Sequence, residues 1–424
     1  MDRRDFFRFA GAAGLCVTPS LRQALAEEGN PEPLDLPEVN PHGLFFVQVQ
    51  AFGGWEPTML CDPKGNLNRT YGEGDILTAG NINYAPMGAQ WNTFFQTNYQ
   101  RMVVFNGVDA QTNAHIPGLE HTCSGRLGAS YPNIAALVAG FQGPQLPVAL
   151  LSFGGYEQTR GVVTTTREID TERLGGIIFP DRVSPVDGAS ELYHSQRARD
   201  LIGIARRTRA ERTRAGVRLP KIGQSMDSLY STRLGSDELK RLETLIKPGM
   251  GSVDMAIASY QAGICTAVNF SPYRGGDLGF DTHVNHDNVH VNAMNTLLAL
   301  VNKVWAKAEA AGIAHRTVML INSEFGRTPG YNSNDGKDHW PITSMILISG
   351  MPEFKGNRVL GRTNEGHAPI PLEPATLEPA GDGVSGIVLQ PSHVHRGVRD
   401  LLGMKGAPLD ERFPISSDVD LKLL

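Results

Sequence analysis

Short apolar runs broken by glycine, asparagine and proline set the rhythm of this chain. Residues 44–50, LFFVQVQ, predict a first strand, closed by the turn Gly53-Gly54 and then Trp55 and Glu56. Residues 102–107 and 148–153 predict two more strands, and residues 133–140, 190–215 and 236–246 have helical composition. The second half alternates more regularly: helix 253–262, strand 266–270, loop 277–290, helix 291–311, strand 317–322, loop 323–340, strand 343–349 and a closing helix over 392–402. Strand and helix in alternation predict an α/β fold, a mostly parallel sheet flanked by helices on both faces. The region near 190–246 reads as a helical insertion in a single domain over 43–424. Residues 27–42, rich in proline, read as an extended lead-in.

The first 26 residues have a different pattern. Arg3 and Arg4 precede Phe6 and Phe7, a mildly apolar stretch follows over 9–21, and Ala24-Leu25-Ala26 gives the small-x-small pattern of a cleavage site. That order predicts a twin-arginine signal peptide. It implies the export machinery as a partner and a periplasmic or secreted protein. No later segment approaches the roughly 18 apolar residues of a membrane span, so no stable membrane anchor is expected once the signal is removed.

Charge and cysteine content narrow the partners. A net charge of −5 gives no broad basic surface, so no nucleic-acid partner is expected, and the arginines over 197–218 read as a solvated helix face. Beyond the signal, Cys61, Cys123 and Cys265 are odd in number and lack paired spacing, which implies neither a disulfide framework nor a cysteine metal site.

Three loops after strands carry the candidate chemistry. Residues 279–290, GFDTHVNHDNVH, hold Asp281, His283, His286, Asp287 and His290 just ahead of a helix. Imidazole and carboxylate together suit a divalent cation. Each residue also has a plainer reading: Asp287 or Asn288 could cap the helix, and His290 could simply pack. Residues 322–329 place Glu324 at the end of a strand, a usual position for an active-site carboxylate, with Arg327 able either to hold an oxyanion or to neutralise Glu324. Asp338 and His339 precede the next strand.

The runs FDTHVNHD over 280–287 and SEFGRTPGYNSNDGKDHWP over 323–341, with the early GGWE over 53–56, resemble the family called domain of unknown function 1501, a branch similar to the alkaline phosphatase and sulfatase superfamily. The resemblance implies that fold over almost the whole chain beyond the leader. It puts Glu56 at the first metal-binding carboxylate and His115 at the nucleophile position, with Arg126 in the turn that ends the nucleophile helix. Asp281 matches the other metal motif, with His283 or His286 as partner, and His339 the final histidine. Phe325 stands where the superfamily has a metal-binding histidine, so a single-metal site is implied rather than a pair.

The metal set expected on these grounds is Glu56, Asp281, His283, His286, Glu324, Asp338 and His339, for a zinc, manganese, iron or calcium ion. The expected activity is hydrolysis of a small anionic ester, a sulfate or phosphate, with His115 as general base or nucleophile and Arg327 or Arg126 stabilising charge. The alternative is an envelope binding or scaffolding protein that keeps the fold without the chemistry.

Overall fold

The computed structural model describes residues 43–424 except 129–130, 145, 168–182, 184–191, 217–240, 243, 248, 274–278, 382–384 and 418. The leader and lead-in expected over 1–42, and most of the helix expected over 236–246, lie outside the described residues. Among those described, no helix is long and apolar enough to cross a membrane.

Twelve strands are described: β1 (Phe45–Ala51), β2 (Leu77–Ala79), β3 (Ile82–Tyr84), β4 (Met102–Asp109), β5 (Leu150–Phe153), β6 (Thr165–Arg167), β7 (Ala267–Phe270), β8 (Thr317–Ser323), β9 (Gly326–Arg327), β10 (His339–Trp340), β11 (Ile342–Ser349) and β12 (Arg358–Leu360). Eight form one sheet in the order β12-β4-β11-β8-β1-β7-β5-β6, while β2 with β3 and β9 with β10 make small two-stranded sheets. Every pairing in the large sheet is parallel except those of β11, which runs antiparallel to both β4 and β8. The carboxyl ends of β1, β4, β7 and β8 therefore share one edge with the amino end of β11.

The helices are α1 (Ala89–Asn98), α2 (His115–Ser124), α3 (Ile134–Gln142), α4 (Gln196–Gly216), α5 (Ser252–Gln261), α6 (His286–Ala310), α7 (Pro391–Leu401) and α8 (Pro408–Arg412). Alternation along β1 divides them between two cores. Phe45, Val47 and Val49 face a cluster with Ile257 of α5 and Leu297, Val301 and Trp305 of α6. Phe46 faces the other way, into a cluster with Leu137 of α3 and Val394 and Val398 of α7. Each large side chain buried in this way contributes about 1.5–3 kcal/mol. Helices thus cover both faces, as expected.

Two helices, α6 and α4, start several residues away from the sequence reading. Helix α6 begins at His286 rather than 291, because Asn285 takes a left-handed conformation (φ 48°, ψ 47°) and becomes the N-cap. Asp287 and Asn288 are therefore inside the helix, and the Tyr331 hydroxyl donates to Asp287 at 2.6 Å. His286 and His290 come to lie one turn apart and are both buried. In the middle region, α4 spans 196–216 with only Ala210 described as buried, consistent with a solvated arginine-rich helix. Among the described residues, Cys61, Cys123 and Cys265 are free and buried.

Candidate metal centre

The turn after β1 forms the floor of the site, and it needs glycine. Gly53 has φ +116°, and a Cβ there would fall 2.2 Å from the Asp281 amide nitrogen. Gly54 has φ +89° and lies against the Phe325 ring. With no side chains in the way, the two carbonyls turn toward Arg327, whose Nε donates to Gly54 O at 2.9 Å and whose Nη2 donates to Gly53 O. Trp55 anchors the turn to the sheet: its amide donates to Ser323 Oγ at 3.0 Å and its indole N–H to Thr343 Oγ1 at 2.9 Å.

Above this floor, His115, Asp281 and His339 each offer one ligand atom within 4.8 Å of the others, a group that could hold a metal ion. They arrive from three directions: His115 opens α2 after β4, Asp281 follows β7, and His339 precedes β11. His339 Nε2 is 3.0 Å from Asp281 Oδ1, and His115 Nε2 is 3.5 Å from Asp281 Oδ2. His283 joins them, its Nε2 at 3.0 Å from both Asp281 Oδ1 and His339 Nε2. Donors bound at about 2.0–2.1 Å around one tetrahedral ion stand about 3.3 Å apart, so these separations fit a shared cation.

The hydrogen bonds behind the rings decide which nitrogen carries the proton. His339 Nδ1 faces the Asn113 carbonyl at 2.7 Å, His283 Nδ1 faces Asp338 Oδ1 at 2.8 Å, and His115 Nδ1 faces Glu324 Oε1 at 2.9 Å. All three partners accept, so each ring donates from Nδ1, and in its neutral form it turns an Nε2 lone pair toward Asp281. Two bare nitrogens 3.0 Å apart beside a carboxylate repel unless something positive lies among them. A shared proton satisfies one contact; a divalent cation satisfies all of them and is the usual companion of carboxylate- and carbonyl-backed histidines. The residues fit the group.

The supporting side chains are buried and committed. Glu324 is fully buried, its Oε1 accepting from Gly53 N at 2.7 Å as well as from His115, and its Oε2 from Ser323 Oγ at 3.2 Å. The Glu324 hydrogen bond raises the His115 pKa above the ordinary histidine value. Burial alone would raise Asp281, but the Arg327 guanidinium bonded to it helps to outweigh that and hold the carboxyl below the usual range. The His283 hydrogen bond lowers Asp338. Phe325 packs its ring on His339 and His115, with centroids 4.4 and 5.0 Å apart. The phenylalanine that cannot bind a cation thus holds two imidazoles in place.

The remaining sequence candidates fall elsewhere. Arg327 is fully buried and donates to Gly53 O, Gly54 O, Lys337 O at 3.0 Å and Asp281 Oδ1 at 2.7 Å, so it clamps Asp281 and pairs with that residue rather than with Glu324. Arg126 is exposed just beyond the far end of α2, whose ten residues set it roughly 15 Å along the axis from His115. Glu56 and His286 meet in a second, fully buried cluster: Glu56 Oε2 is 3.2 Å from Lys337 Nζ and 3.9 Å from His286 Nε2. The Glu56 amide donates to His290 Nε2 at 2.9 Å. Lys337 and Asn113 were absent from the sequence candidates. Lys337 lies next to the Asp338-His339 pair, a proximity that marked it; Asn113 acts through its backbone carbonyl, which no sequence pattern advertises.

Fold and site together define a doubly covered α/β protein with a histidine–aspartate cluster suited to a cation at the carboxyl edge of its sheet. Residues 239–370 match the family model described as Protein of unknown function (DUF1501), the family that the motif runs resemble. That segment contains Asp281, His283, Glu324, Arg327, Asp338 and His339, while His115 precedes it. No curated protein matches the sequence. Among solved structures, a Bacteroides thetaiotaomicron protein from a core locus for metabolism of multiple glycosaminoglycans aligns over 85% of this chain and 73% of its own, at 10% identity and a TM-score of 0.35. The phosphonate monoester hydrolase of Agrobacterium radiobacter aligns over 85% and 74%, at 10% identity and a TM-score of 0.30. That of Silicibacter pomeroyi aligns over 85% and 73%, at 10% identity and 0.32.

Proposed function

We propose that this protein holds one divalent transition cation through His115, Asp281 and His339, with His283 as a further donor, and hydrolyses a small sulfate or phosphate ester there. The observation that carries this reading is a convergence: three imidazole Nε2 atoms, each on a ring with an acceptor behind its Nδ1, meet at one carboxylate. So many nitrogens favour zinc, iron or manganese over calcium, which prefers oxygen. Such a cation supplies Lewis acidity toward an ester oxygen and makes water acidic enough to attack near neutral pH.

The chain's own groups do the rest. Glu324 keeps the His115 proton on Nδ1, and Arg327 holds the Asp281 carboxylate in place against the Gly53-Gly54 turn. Helix α2 begins at His115 with Ala114 as its cap, a residue whose side chain accepts nothing. Its positive end is left for an anionic oxygen drawn to the cluster.

A second reading is favoured by the His115–Glu324 pair itself, since a buried carboxylate behind an imidazole also orients a general base, one of the two roles that the family resemblance implies for His115. One experiment separates these readings. Protein from the periplasmic fraction, which the leader pattern leads us to expect to be cleaved after Ala26, is stripped, reloaded with zinc, manganese or iron, and assayed on aryl sulfates and aryl phosphates. Metal-dependent turnover is expected, with His115→Ala losing metal and turnover together. If that variant keeps its metal and loses only turnover, His115 is the base. A fully loaded wild type that turns over no ester contradicts hydrolysis and leaves a binding or scaffolding role.

A further inference from the structure

We propose, resting on the cation site of the hydrolase reading, that Thr282 is a positioning residue of that site: its hydroxyl ties the segment carrying Asp281 and His283 to two buried histidines of α6 and so sets where the ligand atoms stand. Asp281 and His283 on either side of it meet in the cluster, with His283 Nε2 3.0 Å from Asp281 Oδ1. Thr282 itself is only 2% exposed, and its hydroxyl meets a different pair of rings. Thr282 Oγ1 is 2.7 Å from His286 Nδ1 and 3.3 Å from His290 Nδ1. Both rings have no exposed surface, and they stack one turn apart with centroids at 4.6 Å.

Counting protons shows why a hydroxyl is needed there. The Glu56 amide donates to His290 Nε2 at 2.9 Å, so the His290 proton is on Nδ1 and is donated to Thr282 Oγ1. The hydroxyl's own proton has two acceptors in reach, His286 Nδ1 at 2.7 Å and Phe280 O at 3.4 Å, and the shorter contact takes it. Thr282 thus accepts from one imidazole and donates to the other, which no apolar side chain can do. Its backbone reaches the other ligand-bearing segment, since the Thr282 carbonyl accepts from Lys337 N at 3.1 Å, two residues before His339. One residue therefore refers Asp281, His283 and His339 to the same long helix. Ligand atoms must be held to within about 0.5 Å for a site to work, and supporting hydrogen bonds are what hold them. Without the hydroxyl, two buried imidazole nitrogens lose this partner where no water replaces it, and the segment shifts to repair the loss.

The test measures the zinc dissociation constant by competition with a chromophoric chelator, alongside the urea midpoint of each protein. Thr282→Val keeps the shape and removes the hydroxyl, and it is expected to weaken zinc binding by about 10–100-fold. Thr282→Ser restores the hydroxyl and should return the affinity close to that of wild type. A folded Thr282→Val protein whose midpoint falls while its zinc affinity is unchanged overturns the inference, because Thr282 then serves stability alone. An equal loss of affinity in the Val and Ser variants overturns it too, since the methyl group and not the hydroxyl would be responsible. If Thr282→Val does not fold, His286 decides: His286→Asn keeps an amide near the Nδ1 position and should retain zinc, whereas His286→Leu should weaken it, and equal affinity in these two overturns the inference. Each of these failures leaves the hydrolase reading intact. A wild type that binds no zinc, manganese or iron overturns the cation site and this inference with it.

Discussion

His395 shows how much of this molecule's chemistry is set by where a side chain is placed. It lies on α7 with no exposed surface, its Nε2 facing the Thr122 carbonyl at 2.9 Å, and burial pushes its pKa down to about 3. Burial similarly pushes His286 to about 3 and His367 to about 4. Each is neutral in the folded protein and takes a proton near the ordinary value of about 6.5 once unfolded. Below that value the unfolded chain binds more protons, so stability is full above about pH 6.5 and falls as pH drops toward about 4. His115 acts in the opposite sense, its raised pKa adding stability below about 6.5 that is lost as pH rises through the folded value, but it is one partly exposed group against several buried ones. Urea unfolding between about pH 7 and about pH 5 should therefore show declining stability, each histidine contributing up to about 1.4 kcal/mol per pH unit, and His395→Leu should flatten the decline by one such share. A pH-independent wild type over that range would show that these imidazoles are solvated. None of this could be read from the sequence, where His395 and His367 look like any other histidine.

At the scale of elements, the turn joining β1 to the site matters most. Gly53 and Gly54 stand out in the sequence as a glycine pair after a strand, and the structure supplies the reason: backbone meets backbone there, with no room for a Cβ beside Asp281. Gly53→Ala should destabilise the protein by roughly 2 kcal/mol or more, combining positive-φ strain with a clash that must displace Asp281. Denaturation midpoints check this, and an unchanged midpoint would mean that the turn relaxes freely. Strand positions were legible because apolar runs such as 44–50 and 343–349 have no other use at that length. The start of α6 was not, since Asn285 enters it from a left-handed conformation and local composition does not announce that geometry. The tiny β9–β10 pair was equally hidden, yet it sets His339 opposite Arg327 in register.

For the whole molecule, the sheet turns distant sequence into one site. His115 and Glu324 are 209 residues apart in the chain and 2.9 Å apart in space, because β4 and β8 run the same way on either side of β11. The alternation of strands and helices predicted that convergence in outline, placing residues after β1, β7 and β8 along one edge. It could not divide the candidates by task. Asp281, His283 and His339 meet in the cluster, whereas Glu324 and Asp338 stand behind imidazoles, Arg327 clamps a carboxylate, and Glu56 lies between Lys337 and His286 in a separate buried group. Those divisions depend on a few ångströms of side-chain reach. Whether the cluster around Asp281 binds a cation is decided by elemental mass spectrometry of protein purified without chelator. A single transition-metal ion per chain is predicted for wild type and none for a folded Asp281→Ala variant; an ion retained by that variant, or a wild type that takes up no metal even when it is offered, would contradict the account.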